Sequence, residues 1–354
     1  MKSKYFLYIA PVLMAFLFSC EKAIEFNGDE VKTKLVLDGL LSTDSIVKIR
    51  LTESRFFLED DVSFKKIDNA TVELWKEGNK IENLSNIGDG YYVGTYVPGI
   101  GDKLRITASC EGLDPIECST EIAMPSPIVS VDTMNVKEDK GYNYSVNYDP
   151  DTGISTYDST VYSLVFNFDM NITFKDPKDI TNYYVINIYQ KFYLSDGRSL
   201  FYPIYYGSDD MIFHTGNDMN FLEDDPYYLQ STLFNDELFD GKEYKLKIKT
   251  NNYDGIGVGI NPDNPDKEIL LDLVWDGDTW VKVFGPEVVR KEILVELQSL
   301  SPEFFMFRKT RDADFYMDET MKYFTEPIQI YSNVKGGIGI LGSYSSSFYT
   351  IPLK

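Results

Sequence analysis

The chain has 354 residues, 43% of them hydrophobic and 15% aromatic, enough to build sizeable cores and incompatible with a disordered polymer. Its formal net charge is −22, with 56 acidic against 34 basic residues, which disfavours nucleic acid and anionic membrane surfaces as partners. Cations, neutral ligands and proteins are left. Three cysteines and a single histidine, His214, make a Cys/His metal centre a poor fit.

Residues 1–19 read as a secretory signal: Lys2 and Lys4, then an apolar run from Tyr5 to Phe18 that is short for a bilayer span. Leu17-Phe18-Ser19-Cys20 resembles a bacterial lipobox, in which cleavage precedes the cysteine and its thiol is acylated. The expectation is a mature chain that starts at Cys20, lipid-anchored, with 20–33 as a polar tether. Glu21-Lys22 and Glu25 resemble the charged surface-export signals of Bacteroidota lipoproteins; a plain solvated linker reads the same residues.

Residues 34–125 alternate apolar and polar with period two. Val47, Ile49 and Leu51 are one such set, Ala70, Val72 and Leu74 another, and Leu104, Ile106 and Ala108 a third. Gly- and Pro-rich turns separate them, which predicts an antiparallel β-sandwich resembling immunoglobulin-like or prealbumin-like modules. A hairpin turning near Asp114 would set Cys110 opposite Cys118. A cross-strand disulfide and two small buried thiols are the two readings. Met124-Pro-Ser-Pro127 is the expected boundary, with 126–354 as a larger, β-rich second domain.

In that region Tyr162 to Met170, Tyr184 to Ile188 and Tyr244 to Ile248 alternate as strands, the last with Lys245, Lys247 and Lys249 between. Val136 to Ser159 reads as a long exposed loop, and Met211-Ile-Phe-His214 as a half-buried strand. Ser301-Pro302-Glu303 is a helix start, predicting one helix near 302–320 with Phe304, Phe307 and Phe315 close to one face. The end, Gln329 to Gly342, reads as strand, glycine-rich turn, strand.

For Gly336-Gly-Ile-Gly339, no helix signal or Lys-Ser/Thr pair follows, so close backbone approach is preferred to phosphate binding. No cofactor is expected. If calcium binds, the loop with Asp263, Asp266 and Glu268 is the first candidate, against ordinary turn chemistry. Tyr202, Tyr205, Tyr206, Tyr227 and Tyr228, beside Asp and Asn, could line a ligand groove or pack in the core. No Gly-x-Ser-x-Gly elbow is present, and His214 lies in an apolar setting; no catalytic residue is assigned and a non-enzymatic protein is expected.

Leu35-Val-Leu-Asp-Gly39, Asn69-Ala-Thr-Val72, Leu297-Gln-Ser-Leu-Ser301 and above all Tyr331-Ser-Asn-Val-Lys-Gly-Gly-Ile-Gly-Ile340 carry a wider resemblance. Together with the lipobox they resemble a family of uncharacterised Bacteroidota outer-membrane lipoproteins, a domain of unknown function often encoded beside TonB-dependent receptors. The resemblance implies an outer-membrane lipoprotein on the periplasmic or cell-surface face, accessory to an uptake barrel through a docking surface. The alternative is a stand-alone binder of glycan, peptide or a metal-loaded ligand.

Overall fold

The structure is a computed structural model that describes residues 32–55, 63–142, 145–148, 155–158, 162–214, 232–250, 258–261, 264–275, 280–315 and 326–353. Its first strands are β1 (Leu35–Ser42), β2 (Lys48–Glu53), β3 (Thr71–Lys76), β4 (Asn79–Asn83), β5 (Ser85–Gly88), β6 (Tyr91–Val93), β7 (Lys103–Ser109) and β8 (Ile116–Glu121). Next come β9 (Ile128–Tyr142), β10 (Ser145–Tyr148), β11 (Ser155–Asp158), β12 (Tyr162–Lys175), β13 (Tyr183–Leu194), β14 (Ser199–Pro203) and β15 (Tyr206–Gly207). After a 3-10 turn, Met211–His214, follow β16 (Leu233–Asn235), β17 (Glu243–Thr250), β18 (Val258–Asn261), β19 (Asn264–Trp275), β20 (Trp280–Leu300), helix α1 (Pro302–Phe315) and β21 (Ile338–Leu353).

The molecule is mainly β, as the alternation predicts. One long sheet runs β14-β13-β20-β21-β1-β2-β6-β5. A four-stranded sheet, β4-β3-β7-β8, faces its β1-β2 end, and a second, β15-β17-β12-β9, faces its β13-β20-β21 end. Each gap holds a core. The first gathers Leu35, Leu37, Ile49, Leu51, Leu74 and Ile106. The second is aromatic-rich, with Phe174, Tyr184, Phe234 and Phe239 in mutual ring contact beside Ile186 and Val295.

These cores correct the expected division at 125/126. They lie on opposite sides of Met124–Pro127 in sequence, yet they share the long sheet, and Lys34–Lys354 is one compact unit. β21 causes this. It pairs in parallel with β1 from Val36↔Ile338 to Ser42↔Tyr344 and antiparallel with β20 from Leu300↔Tyr344 to Lys291↔Leu353. Its Leu341 joins the first core, and its Tyr349 and Ile351 pack on the second. The segment read as a linker is held fast: Ser126 is fully buried, its Oγ lies 2.7 Å from the Tyr184 hydroxyl, and its N–H donates to Ser299 Oγ at 3.2 Å.

Four other expectations change. Ile106↔Cys118 and Ala108↔Ile116 centre the β7–β8 turn on Gly112 (φ 82°) rather than on Asp114, so Cys110 does not face Cys118 and both thiols are free. Burial pushes the Cys118 thiol up to about 12. Val136 to Ser159 is not a loop throughout: β9 runs to Tyr142 against β12, and β10 pairs with β11. His214 ends a 3-10 turn instead of lying on a strand. The Gln329–Val334 stretch forms no regular strand, contributing at its end one bridge, Glu117↔Lys335.

Helix α1 starts where its sequence says it should. Ser301 Oγ accepts the Phe304 N–H at 3.3 Å, Pro302 takes the first helical position and Glu303 the first turn. Phe305 stacks on Tyr183 at 4.4 Å, whereas Phe315, expected on the packed face, is 74% exposed. Residues 316–320 of the expected helix lie outside the described residues.

Because Leu341 is fully buried beside β1, Leu341→Ala should cost about 2–5 kcal/mol in a denaturant titration. An excised 34–125 fragment, deprived of β21, should give no cooperative unfolding transition; a cooperative transition from that fragment would contradict the shared-sheet architecture.

Candidate functional site

Of the residues singled out by sequence, those that the structure describes do not converge. Cys20, Asp263, Tyr227 and Tyr228 lie outside the described residues, as does the side chain of Asp266. Glu268, the remaining calcium candidate, accepts Lys291 Nζ at 2.8 Å, an ion pair that engages its charge. Tyr202 meets Phe192 edge-on at 5.7 Å, and buried Tyr206 donates its hydroxyl to the Ile186 carbonyl at 2.8 Å. Tyr205 alone of the three is fully exposed, at 68%. Alternation along the chain sends these three described tyrosines to different surroundings, so they form no groove among themselves.

The Tyr331–Ile340 stretch proves to be a fastening. Asn333 Nδ2 donates to the carbonyls of Ser119 and Leu341, and its Oδ1 accepts the Leu341 N–H at 2.9 Å. Gly339 has φ 116°, and a Cβ there would collide with the Leu37 carbonyl oxygen; at Gly337 it would meet the Leu35 carbonyl. The expectation of close backbone approach holds. Two shallow grooves, about 450 and 360 Å³, flank Lys335, the first over Glu73 and Glu117, the second over Glu303 and Tyr331.

A different surface brings functional side chains together. Among the described residues, the face of β13, β20 and β21 turned away from the second core is covered at one end, where α1 packs on Tyr183, Val185, Leu300 and Tyr344. Beyond the helix the register aligns Asn187, Glu296 and Phe348 in one row and Tyr189, Leu294 and Thr350 in the next. Phe348 and Phe201 are 55% and 51% exposed. Lys191 and Arg290 both lie over the Tyr193 ring, at 4.5 and 3.8 Å, and the Tyr193 hydroxyl donates to Glu292 at 2.8 Å.

Glu296 is the unusual group on this face, only 7% exposed. It accepts three hydrogen bonds, all from uncharged donors: Asn187 Nδ2 at 3.1 Å, Gln298 Nε2 at 3.0 Å and Ser346 Oγ at 2.6 Å. Burial, then the charges of Glu296 and Tyr344, raise the Tyr189 hydroxyl above its ordinary value, while Arg308 of α1 works against the shift. The face can therefore offer aromatic surface, oriented amides and one buried carboxylate. No local signal marks it, because its rows are assembled from three strands far apart in sequence.

A family model for a domain of unknown function, DUF4249, matches residues 21–350. The chain belongs to that family. No curated protein and no solved structure matches it.

This DUF4249 chain holds a second acidic feature that sequence reasoning missed. Carboxylate oxygens of Asp176, Asp236 and Asp240 lie within 4.8 Å of one another, the first two residues buried. Hard cations favour such oxygen sets. Every one of these aspartates also ties the fold locally. Asp176 accepts the Tyr184 hydroxyl and the Gly241 N–H, Asp236 the Asn182 N–H and amide, and Asp240 the Asp179 N–H. Burial, supported by the neighbouring carboxylates, raises both Asp176 and Asp236 above the usual carboxylate value.

A raised carboxylate binds its proton more tightly in the folded than in the unfolded state. Its contribution to stability is therefore greatest below the unfolded value and falls as pH rises through the folded one. Asp236→Asn should flatten this dependence, so that the variant gains on wild type between about pH 4 and pH 7 in thermal melts; a constant difference across that range would contradict the assignment.

Proposed function

We propose that the chain is an outer-membrane lipoprotein, anchored through Cys20, that acts as a non-enzymatic accessory to a TonB-dependent uptake receptor and supplies a docking surface. The observation that carries this reading is the face of β14, β13, β20 and β21 that the described residues leave open beyond α1, where Phe201 of β14 and Phe348 of β21 stand half-exposed on strands whose opposite side is packed. Large apolar side chains rimmed by polar groups are costly to leave in water, and they gain most when a protein surface covers them. A sheet packed from behind is also stiff, so binding there orders little that is not already ordered. The Leu17–Cys20 lipobox and the charged tether after it support an anchored chain of the Bacteroidota type.

Mild detergent extraction of the tagged lipoprotein, with bound proteins identified by mass spectrometry, tests the reading. A TonB-dependent barrel in about one-to-one yield is the expected result; a lone lipoprotein would overturn it. Cys20→Ala should move the chain from the membrane pellet to the soluble fraction, and continued pelleting would contradict the anchor.

A further inference from the structure

The carboxylate of Glu296 sits in an unfinished electrostatic arrangement. A carboxylate has about four lone-pair positions, and the donors from Asn187, Gln298 and Ser346 fill three of them. None of those donors carries charge, and among the described residues no Lys, Arg or His nitrogen lies within 4.0 Å of it. The guanidinium of Arg308 on α1 pairs with Asp312 at 4.0 Å. By contrast Glu292, four residues earlier on the same face, is ion-paired with Arg290 at 3.3 Å. Burying an ionised carboxylate without a cation is costly, and uncharged donors recover only part of its lost hydration. Glu296 is nonetheless held in a fixed orientation.

The residue directly across β21 from Glu296 is Phe348, more than half exposed. Opposed side chains in an antiparallel pair stand about 5 Å apart at Cβ, so a cation reaching in beside the Phe348 ring meets a π face next to the one acceptor position of the Glu296 carboxylate that no described donor fills. Asn187 closes the far side of the row. The chain as a whole carries −22, which favours a basic partner in the encounter as well as at the site.

We infer that Glu296 and Phe348 receive an arginine or lysine side chain of the docked protein. This rests on the accessory reading for the identity of the partner, but not for the chemistry of the site. A peptide strand cannot be the whole of the recognition here, since β20 is flanked on both sides by β13 and β21 and offers no free backbone edge in this row. Recognition falls to side chains. A charged head with a flexible stem is suited to reach between them.

The test uses the full lipidated chain in the cells that make it. A photoreactive benzoylphenylalanine replaces Phe348 and, as a control, Ile87, which is 59% exposed on the β5 edge. Irradiation should give an adduct from position 348 and none from position 87, with attachment mapped beside an arginine or lysine of the partner. Glu296→Gln in the same chain should lower adduct yield about tenfold, the scale of one close charge pair. Phe348→Ala, at an exposed position with little bearing on folding, should lower co-purified receptor by a similar factor in the otherwise unmodified chain.

An adduct undiminished by Glu296→Gln, attachment far from any basic residue, or unchanged receptor yield from Phe348→Ala overturns the inference. So does loss of a neutral oligosaccharide's binding in Phe348→Ala while the adduct stays absent. Receptor co-purifying without an adduct at 348 removes this inference and leaves the accessory reading standing. An adduct at a basic segment of some other protein does the opposite, and neither adduct nor receptor ends both.

Discussion

The parallel ladder between β1 and β21 joins the first described strand to the last, and both cores depend on it. A parallel pair cannot close through a tight hairpin, so these two strands meet only after the whole intervening chain has been placed. Once β21 is seated it gives β1 a neighbour, extends β20, and contributes Leu341 to one core and Ile351 to the other. Its serines extend the same fastening. Ser343 and Ser345, both buried, donate their hydroxyls at 2.7 Å to the carbonyls of Glu121 and Ala123, on the chain as it leaves β8. Backbone that would otherwise be buried with an empty acceptor is satisfied by the strand that buries it.

The entry of β21 explains the composition of the stretch before it. Gly337 and Gly339 stand where side chains would strike the carbonyls of Leu35 and Leu37, the first just ahead of the ladder and the second Gly339's partner in it. Asn333 then closes the turn by bonding Leu341 through both ends of its amide. The glycine run thus serves backbone approach between strands, and the same physics that admits a phosphate to a glycine loop here admits a neighbouring strand.

What the sequence made legible was local. Period-two alternation located β2, β3, β7, β12, β13 and β17, and Ser301-Pro302 located the start of α1, because side-chain alternation and capping are settled within a few residues. Partnership was not legible. Nothing near Val36 indicates Ile338, nothing near Asn187 indicates Glu296, and Asp176 lies 60 residues from Asp236 in the chain it helps to close. The Cys110–Cys118 expectation failed for a related reason: shifting a hairpin centre from Asp114 to Gly112 changes which residues face each other while leaving the alternation intact. The Val136–Ser159 stretch misled because its polar composition suits β-strands as well as a loop.

The two buried acidic features differ in what they hold in place, and that difference bears on function. In the Asp176 cluster four backbone or hydroxyl donors come from two segments, Asp179, Asn182 and Tyr184 from the entry to β13 and Gly241 from the approach to β17, so the carboxylates bind those segments into the second core. Removing them would loosen connections. Around Glu296 the donors are side chains of strands already paired along their backbones, and no backbone group depends on its oxygens. A neutral side chain of the same shape could fill that place in the sheet. The fold therefore gains little from a negative charge there and bears the cost of desolvating it, which is the balance expected where a charge is kept for something outside the chain.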